Sequence, residues 1–178
     1  MNVQEKTIAA LAPLFSTPPY PNTDTPVEQL RENADKRDTT EEGIRRNGII
    51  ERDYQTSGFH LDIQCTHDQL VEINRRLFDL DYFLETITGI DWIRENQLEA
   101  VYDYSRYDFD LCRVVVRVRV DRDKPHLPTI TPIYTGAAWH EREAHDFFGI
   151  IFDDHPNLIP LLLPEDADFH PLLKDFKA

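Results

Sequence analysis

Little in this 178-residue chain can hold a redox centre or act as a nucleophile. Its two cysteines, Cys65 and Cys112, stand far apart and in no paired motif, whereas an iron–sulfur cluster takes about four thiolates and a structural zinc a comparable Cys/His set. They read as two buried free thiols in a reducing compartment. Serine occurs only at Ser16, Ser57 and Ser105, none of them in a nucleophile elbow. The six glycines are scattered singly, so neither a Gly-x-Gly-x-x-Gly loop nor a P-loop is present. No stretch nears the ~18 apolar residues of a membrane span, and the first residues lack the basic-then-apolar order of a signal peptide. A soluble, cytoplasmic protein with no direct membrane insertion is expected. Positive charge is short as well: 33 Asp and Glu against 19 Lys and Arg give a formal charge of -14, which repels phosphate backbones and anionic bilayers and argues against nucleic acid as a partner.

What is present suits a globular domain, with 40% hydrophobic residues. Residues 1–47 differ from the rest by composition and form an N-terminal tail or docking arm. Ile8 to Phe15 suits one short amphipathic helix that Pro13 and the Pro18-Pro19-Tyr20-Pro21 run bring to an end. From Pro26 to Asn47 charge dominates and Val27, Leu30 and Ile44 are the only large aliphatics, so this stretch cannot order itself alone. It is either a flexible tail or an arm that orders on a neighbouring subunit.

From Gly48 the pattern changes. Gly48–Tyr54 and Phe59–Cys65 read as half-buried strands, the second with Phe59, Leu61 and Ile63 on one face, joined by a hairpin turn at Thr56-Ser57-Gly58. Thr66 and Gln69 make a capping box for a helix that carries Leu70, Ile73, Leu77 and Leu80 to about Asp81. Residues 98–107 and 109–120 read as the longest strand pair, with Leu98, Ala100, Tyr102 and Tyr104 alternating on one strand and Val114, Val116, Val118 and Val120 on the other. The intervening Arg113, Arg117 and Arg119 form a basic face for which cross-strand ion pairing is the expected use. Asp121–Pro132 reads as a connection. The fold class is α+β, an antiparallel or mixed sheet covered by helices, with an extended Pro-rich C-terminal arm.

The chain is organised around Trp139–Phe148, a helix that Gly149 should stop in the left-handed conformation. A helical wheel puts Trp139, Glu143 and Asp146 with Phe147 on one side, and Arg142 can bridge to Asp146 at i,i+4 or reach a carboxylate elsewhere. So many charges beside aromatic bulk persist near buried surface only if paired. His140 and His145 are five apart, about 140° round the helix, and cannot share a metal. Glu141 and His145, with His155 from a loop, leave a small metal-dependent enzyme as the alternative reading.

The string Trp139, Glu141-Arg142-Glu143, Asp146 and Phe147-Phe148-Gly149-Ile150 resembles the signature of the 30-kDa subunit of respiratory complex I, the NADH-quinone oxidoreductase. Asp154-His155-Pro156, the ending His170-Pro171-Leu172-Leu173-Lys174-Asp175-Phe176 and the upstream segment Phe83–Asp91 extend the likeness over roughly residues 48–178. Leu161-Leu162-Leu163-Pro164-Glu165 and Leu173 depart from that pattern and resemble the related subunit of membrane-bound, energy-converting hydrogenases. The resemblance implies an α+β domain over residues 48–156 and a subunit that binds no cofactor itself. Iron–sulfur clusters, and flavin or nickel–iron, would sit in partner subunits. Those partners would be a large 49-kDa-like or hydrogenase-large-like subunit and iron–sulfur subunits of one complex on the cytoplasmic side of the inner membrane. Residues 157–178, with Leu158, Ile159 and Leu161–Leu163 set between Pro156, Pro160, Pro164 and Pro171, are expected to be the interface arm. The motif and interface residues so expected are Trp139, Glu141, Arg142, Glu143, Asp146, Phe148, Gly149, His155, Pro156, Leu161, Leu162, Leu163, His170, Pro171, Lys174, Asp175 and Phe176.

Overall fold

The computed structural model describes residues 1–16, 47–108 and 111–177; the expectations for Pro26–Arg46 lie outside these. The first helix, α1 (Val3–Leu11), starts in a capping box: the Asn2 side chain accepts the Glu5 N–H at 2.7 Å and the Glu5 carboxylate accepts the Asn2 N–H at 3.0 Å. Pro13 tightens the following residues into a 3-10 turn, Ala12–Leu14. Thr7 and Leu11 are buried. Residues 1–16, grouped by composition with the segment after them, therefore pack onto the same core as the rest.

Among the described residues there follow β1 (Gly48–Glu51), α2 (Tyr54–Ser57), β2 (Leu61–Cys65), α3 (His67–Asp79), β3 (Tyr82–Trp92), a 3-10 turn (Ile93–Glu95), β4 (Gln97–Arg106), β5 (Val114–Asp121), β6 (His126–Pro128), α4 (Ala137–Phe148) and β7 (Ile151–Asp153). The main sheet has the order β1-β2-β5-β4-β3, antiparallel except for the parallel β2/β5 pair. β6 and β7 form a separate parallel ladder. This is the expected mixed-sheet α+β fold. Three readings change in detail. The first hairpin is joined by α2, which Asp53 caps and Gly58 ends at φ +78°, so the flanking strands stop at Glu51 and restart at Leu61. The longest ladder is β3/β4, running from Tyr82↔Arg106 to Trp92↔Gln97, and not β4/β5. The connection after Asp121 contains β6.

The core lies between one sheet face and the helices. Leu98, Ala100, Tyr102 and Tyr104 of β4 and Val114, Val116 and Val118 of β5 are buried against Leu70, Ile73 and Leu77 of α3. Asn74 interrupts that apolar stripe but is satisfied: its Nδ2 donates to Leu70 O at 2.8 Å, and the Tyr104 hydroxyl donates to its Oδ1. The three arginines of the β5 region each find a carboxylate on another strand, Arg113 with Glu85, Arg117 with Asp62 and Arg119 with Glu99. Arg119 also stacks over Trp92, 4.2 Å from the ring centre. Cross-strand ion pairing is thus what the basic face is for.

Candidate docking surface on the last helix

Helix α4 begins at Gly136 without a side-chain cap and ends at Gly149, whose φ of +76° lets its N–H return to His145 O at 2.9 Å. It meets the sheet where β3 carries Gly89: a Cβ there would lie 2.2 Å from Phe148 Cδ2. A glycine without side chain is what allows the Phe148 ring to lie on the strand.

Glu141 points inward from α4 and is fully buried. It accepts hydrogen bonds from the Thr129 hydroxyl and, at 2.8 Å, from the Ile130 N–H, which ties the loop before the helix to the helix itself. Burial pushes its carboxyl up to about 7, against the opposing pull of those two bonds. His155 lies beside it, with Nε2 3.8 Å from Glu141 Oε2 and 3.2 Å from Ala138 O. The Asn157 N–H donates to His155 Nδ1 at 3.0 Å, so the ring proton belongs on Nε2. Burial holds this imidazole below its ordinary range and keeps it neutral. Thr129, Ile130 and Thr131 belong to the site although nothing in the sequence singled them out; their signal is only the Thr-x-Thr pair inside the Pro-bearing connection.

Asp146 and Arg142 hold the C-terminal segment as a strap along the helix. One carboxylate oxygen of Asp146 accepts three successive backbone N–H groups, from Leu161, Leu162 and Leu163, at 2.9, 2.7 and 3.1 Å. Burial alone would raise this carboxyl, but the three amides outweigh it and hold it below the usual carboxylate range. Arg142 donates to the carbonyls of Ile159 and Pro160 at 2.9 and 2.7 Å and lies 5.4 Å from the centre of the Trp139 ring. The expected pairing of Arg142 with Asp146 or another carboxylate is therefore replaced by recognition of strap backbone. The reason is geometric: strap backbone comes within reach of both side chains and supplies N–H groups to one and C=O groups to the other.

Farther along, His170 Nδ1 meets Asp146 O at 2.9 Å and the Leu172 N–H donates to Phe147 O at 3.1 Å. The His170 ring closes on Gly149, where a Cβ would be 2.8 Å from its Cδ2. The Lys174 N–H donates to buried Asp91 at 2.8 Å, and Arg122 bridges Asp91 and Asp175. That bridge draws the Asp175 carboxyl below its ordinary range. Asp91 and Arg122 were not among the expected site residues. Glu143 and Pro171 are half-buried, and Pro156 is exposed.

Two features decide what the arrangement can do. Glu141 and His155 come together, but His145 turns its Nδ1 to Ile150 O at 2.9 Å, and among the described residues no group of three His, Cys, Asp or Glu is placed to hold a metal. The strap, by contrast, packs Leu158 and Leu173 against the core while Ile159 is 51% and Leu162 62% exposed, as is Trp139 of the helix at 62%. A backbone fixed on its inner side by Asp146 and Arg142 thus presents apolar side chains outward.

Comparisons with known proteins agree with this architecture. The family described as "Respiratory-chain NADH dehydrogenase, 30 Kd subunit" matches residues 63–178. The chain is 39% identical over 120 residues to the C subunit of NADH-quinone oxidoreductase from Roseiflexus sp. (strain RS-1), covering 65% of this chain and 68% of that protein. It is 37% identical over 94 residues to the C subunit of F(420)H(2) dehydrogenase from Methanosarcina mazei, covering 52% and 59%. Among solved structures it is similar to a trypsin-resistant fragment of Nqo5, at 31% identity and a TM-score of 0.51 over 55% of this chain and 82% of that one. It is also similar to a chain of the membrane-bound sulfane sulfur reductase, an archaeal respiratory membrane complex, at 28% identity and a TM-score of 0.60 over 66% and 71%. The chain belongs to the family of the 30-kDa subunit of the respiratory-chain NADH dehydrogenase.

Proposed function

We propose that this chain is a structural subunit of the peripheral arm of a complex-I-type membrane oxidoreductase. It binds no redox cofactor itself and holds the large catalytic subunit beside the iron–sulfur subunits, so that electron transfer can be coupled to ion translocation. The same role serves a complex that takes electrons from NADH and one related to energy-converting hydrogenases. Its place is on the cytoplasmic face of the membrane, attached through other subunits; among the described residues no helix is long and apolar enough to cross a bilayer.

The observation that carries this reading is the strap: exposed Ile159 and Leu162 held on a backbone that Arg142 and Asp146 fix to the helix. A monomer gains nothing by fixing apolar groups in water, whereas an interface gains pre-organisation. The test is co-purification of the tagged full-length chain from cells that make its complex. The unmodified chain should bring down a large subunit related to the catalytic subunits of complex I or of hydrogenases. Leu162→Asp, with an unchanged melting temperature, should lose it. Retention of the large subunit by Leu162→Asp at wild-type level would place the docking surface elsewhere.

A further inference from the structure

The acids in the middle of the strap are used differently from those of the sheet and from Asp175, which Arg122 holds. On the sheet, Asp62, Glu85, Asp91 and Glu99 are each neutralised by an arginine of this chain. From residue 143 to residue 173 there are seven Asp and Glu and not one Lys or Arg. The nearest upstream cation, Arg142, is engaged with carbonyl oxygens. Glu165 and Asp166 lie exposed in the short turn that the Ala167 N–H closes on Pro164 O at 3.0 Å, Asp168 lies exposed just after it, and among the described residues none of the three forms an ion pair.

Along the chain these acids stand between two sets of exposed apolar residues. Before them come exposed Ile159, whose carbonyl shares Arg142 with the Trp139 ring, and exposed Leu162; after them come exposed Leu172 and the stacked rings of Phe169 and Phe176, 5.5 Å apart. The second set is also pinned from within, by the bonds of Leu172 to Phe147 and of Lys174 to Asp91. A solvated acidic turn needs no apolar neighbours held in place, and an apolar interface in so acidic a stretch meets repulsion unless its partner supplies the opposite sign.

We infer that the strap binds a protein surface with two apolar recesses and a cluster of Lys and Arg between them. This inference rests on the docking role proposed above and adds the chemistry of the partner. Trp139, Ile159 and Leu162 fill one recess and Phe169, Leu172 and Phe176 the other. Glu165, Asp166 and Asp168 face the basic cluster, so the acids steer the encounter and the apolar groups retain it. Nucleic acids and anionic membranes are repelled by the same charges.

The experiment measures association of the full-length chain with the large subunit separated from its own purified complex, at salt from about 50 to about 500 mM, a range over which screening of exposed charges becomes nearly complete. The unmodified chain should associate more slowly as salt rises. The triple variant Glu165→Gln, Asp166→Asn, Asp168→Asn should keep its melting temperature, associate about tenfold more slowly at low salt and lose most of the salt dependence. Association of the unmodified chain that is indifferent to salt, or a triple variant with the wild-type rate and slope, overturns the inference and leaves the docking role standing. Failure of the unmodified chain to bind the large subunit at any salt overturns the docking role and this inference with it.

Discussion

At the residue scale, Glu141 and Asp146 lie on the same helix and titrate in opposite directions, because one is buried with two donors and the other is held by three backbone amides. The Glu141 carboxyl is raised from 4.5 to about 7, so the folded chain binds a proton that the unfolded chain has released between these values. Its contribution to stability is therefore fully present below about pH 4.5 and is lost as pH rises to about 7. The shift corresponds to about 3 kcal/mol. Glu141→Gln keeps an acceptor for the Ile130 N–H and should flatten the melting-temperature profile between about pH 4.5 and about pH 7.5; parallel profiles for the two proteins would show that Glu141 is charged throughout. Asp146 has the reverse sign: its carboxyl is held below the ordinary 3.8, so its contribution is present above that value and is lost as pH falls through the lower folded one. Asp146→Ala should remove about 3 kcal/mol and bring fast hydrogen exchange to the amides of Leu161, Leu162 and Leu163. Protection that survives the substitution would mean the strap is held by its apolar contacts alone. These bonds were not legible in the sequence, because the carboxylate's partners are backbone amides well beyond the helix, and backbone amides carry no residue-type signal.

At the element scale, the start of α3 and the stop of α4 were legible, since a capping box at Thr66 and a glycine at 149 report on local backbone alone, whereas α3 stops at Asp79, short of the expected Asp81, and α4 starts at Ala137, ahead of the expected Trp139. The valine–arginine alternation of β5 was equally plain. β3 was not legible by periodicity: a register shift between Leu84 and Thr86 breaks its alternation, and Gly89 sits in its middle to receive a helix and not to end a strand. Gly89→Ala should therefore cost about 1 to 3 kcal/mol by overpacking, and the loss should shrink in the double variant with Phe148→Leu. Additive losses in that double-mutant cycle would show that the two residues are not in contact. The Arg142 contact likewise changes what its removal should do. Arg142→Ala frees two carbonyls and an exposed Trp139 without stranding a buried acid, so the expected loss is about 1 to 3 kcal/mol, with increased proteolysis confined to residues 157–177. Collapse of the whole domain would mean that the helix depends on Arg142 for more than strap backbone.

At the scale of the whole molecule, the acids Asp62, Glu85, Asp91 and Glu99 of the sheet are paired with arginines, while the strap keeps Ile159, Leu162, Phe169, Leu172 and Phe176 exposed. The resemblance read from Trp139 to Phe176 named that stretch, but it could not show that the strap is anchored to its own helix, since anchoring depends on Asp91, Arg122 and Asp146 meeting it in space. The central claim is that the strap's outward side chains are the contact to a large catalytic subunit. The most direct measurement places a photo-crosslinking amino acid at Leu162 in the full-length chain, within the assembled native complex, and identifies the product by mass spectrometry. A single dominant crosslink to the large catalytic subunit is expected; a crosslink confined to this chain, or one only to another subunit, would contradict that contact.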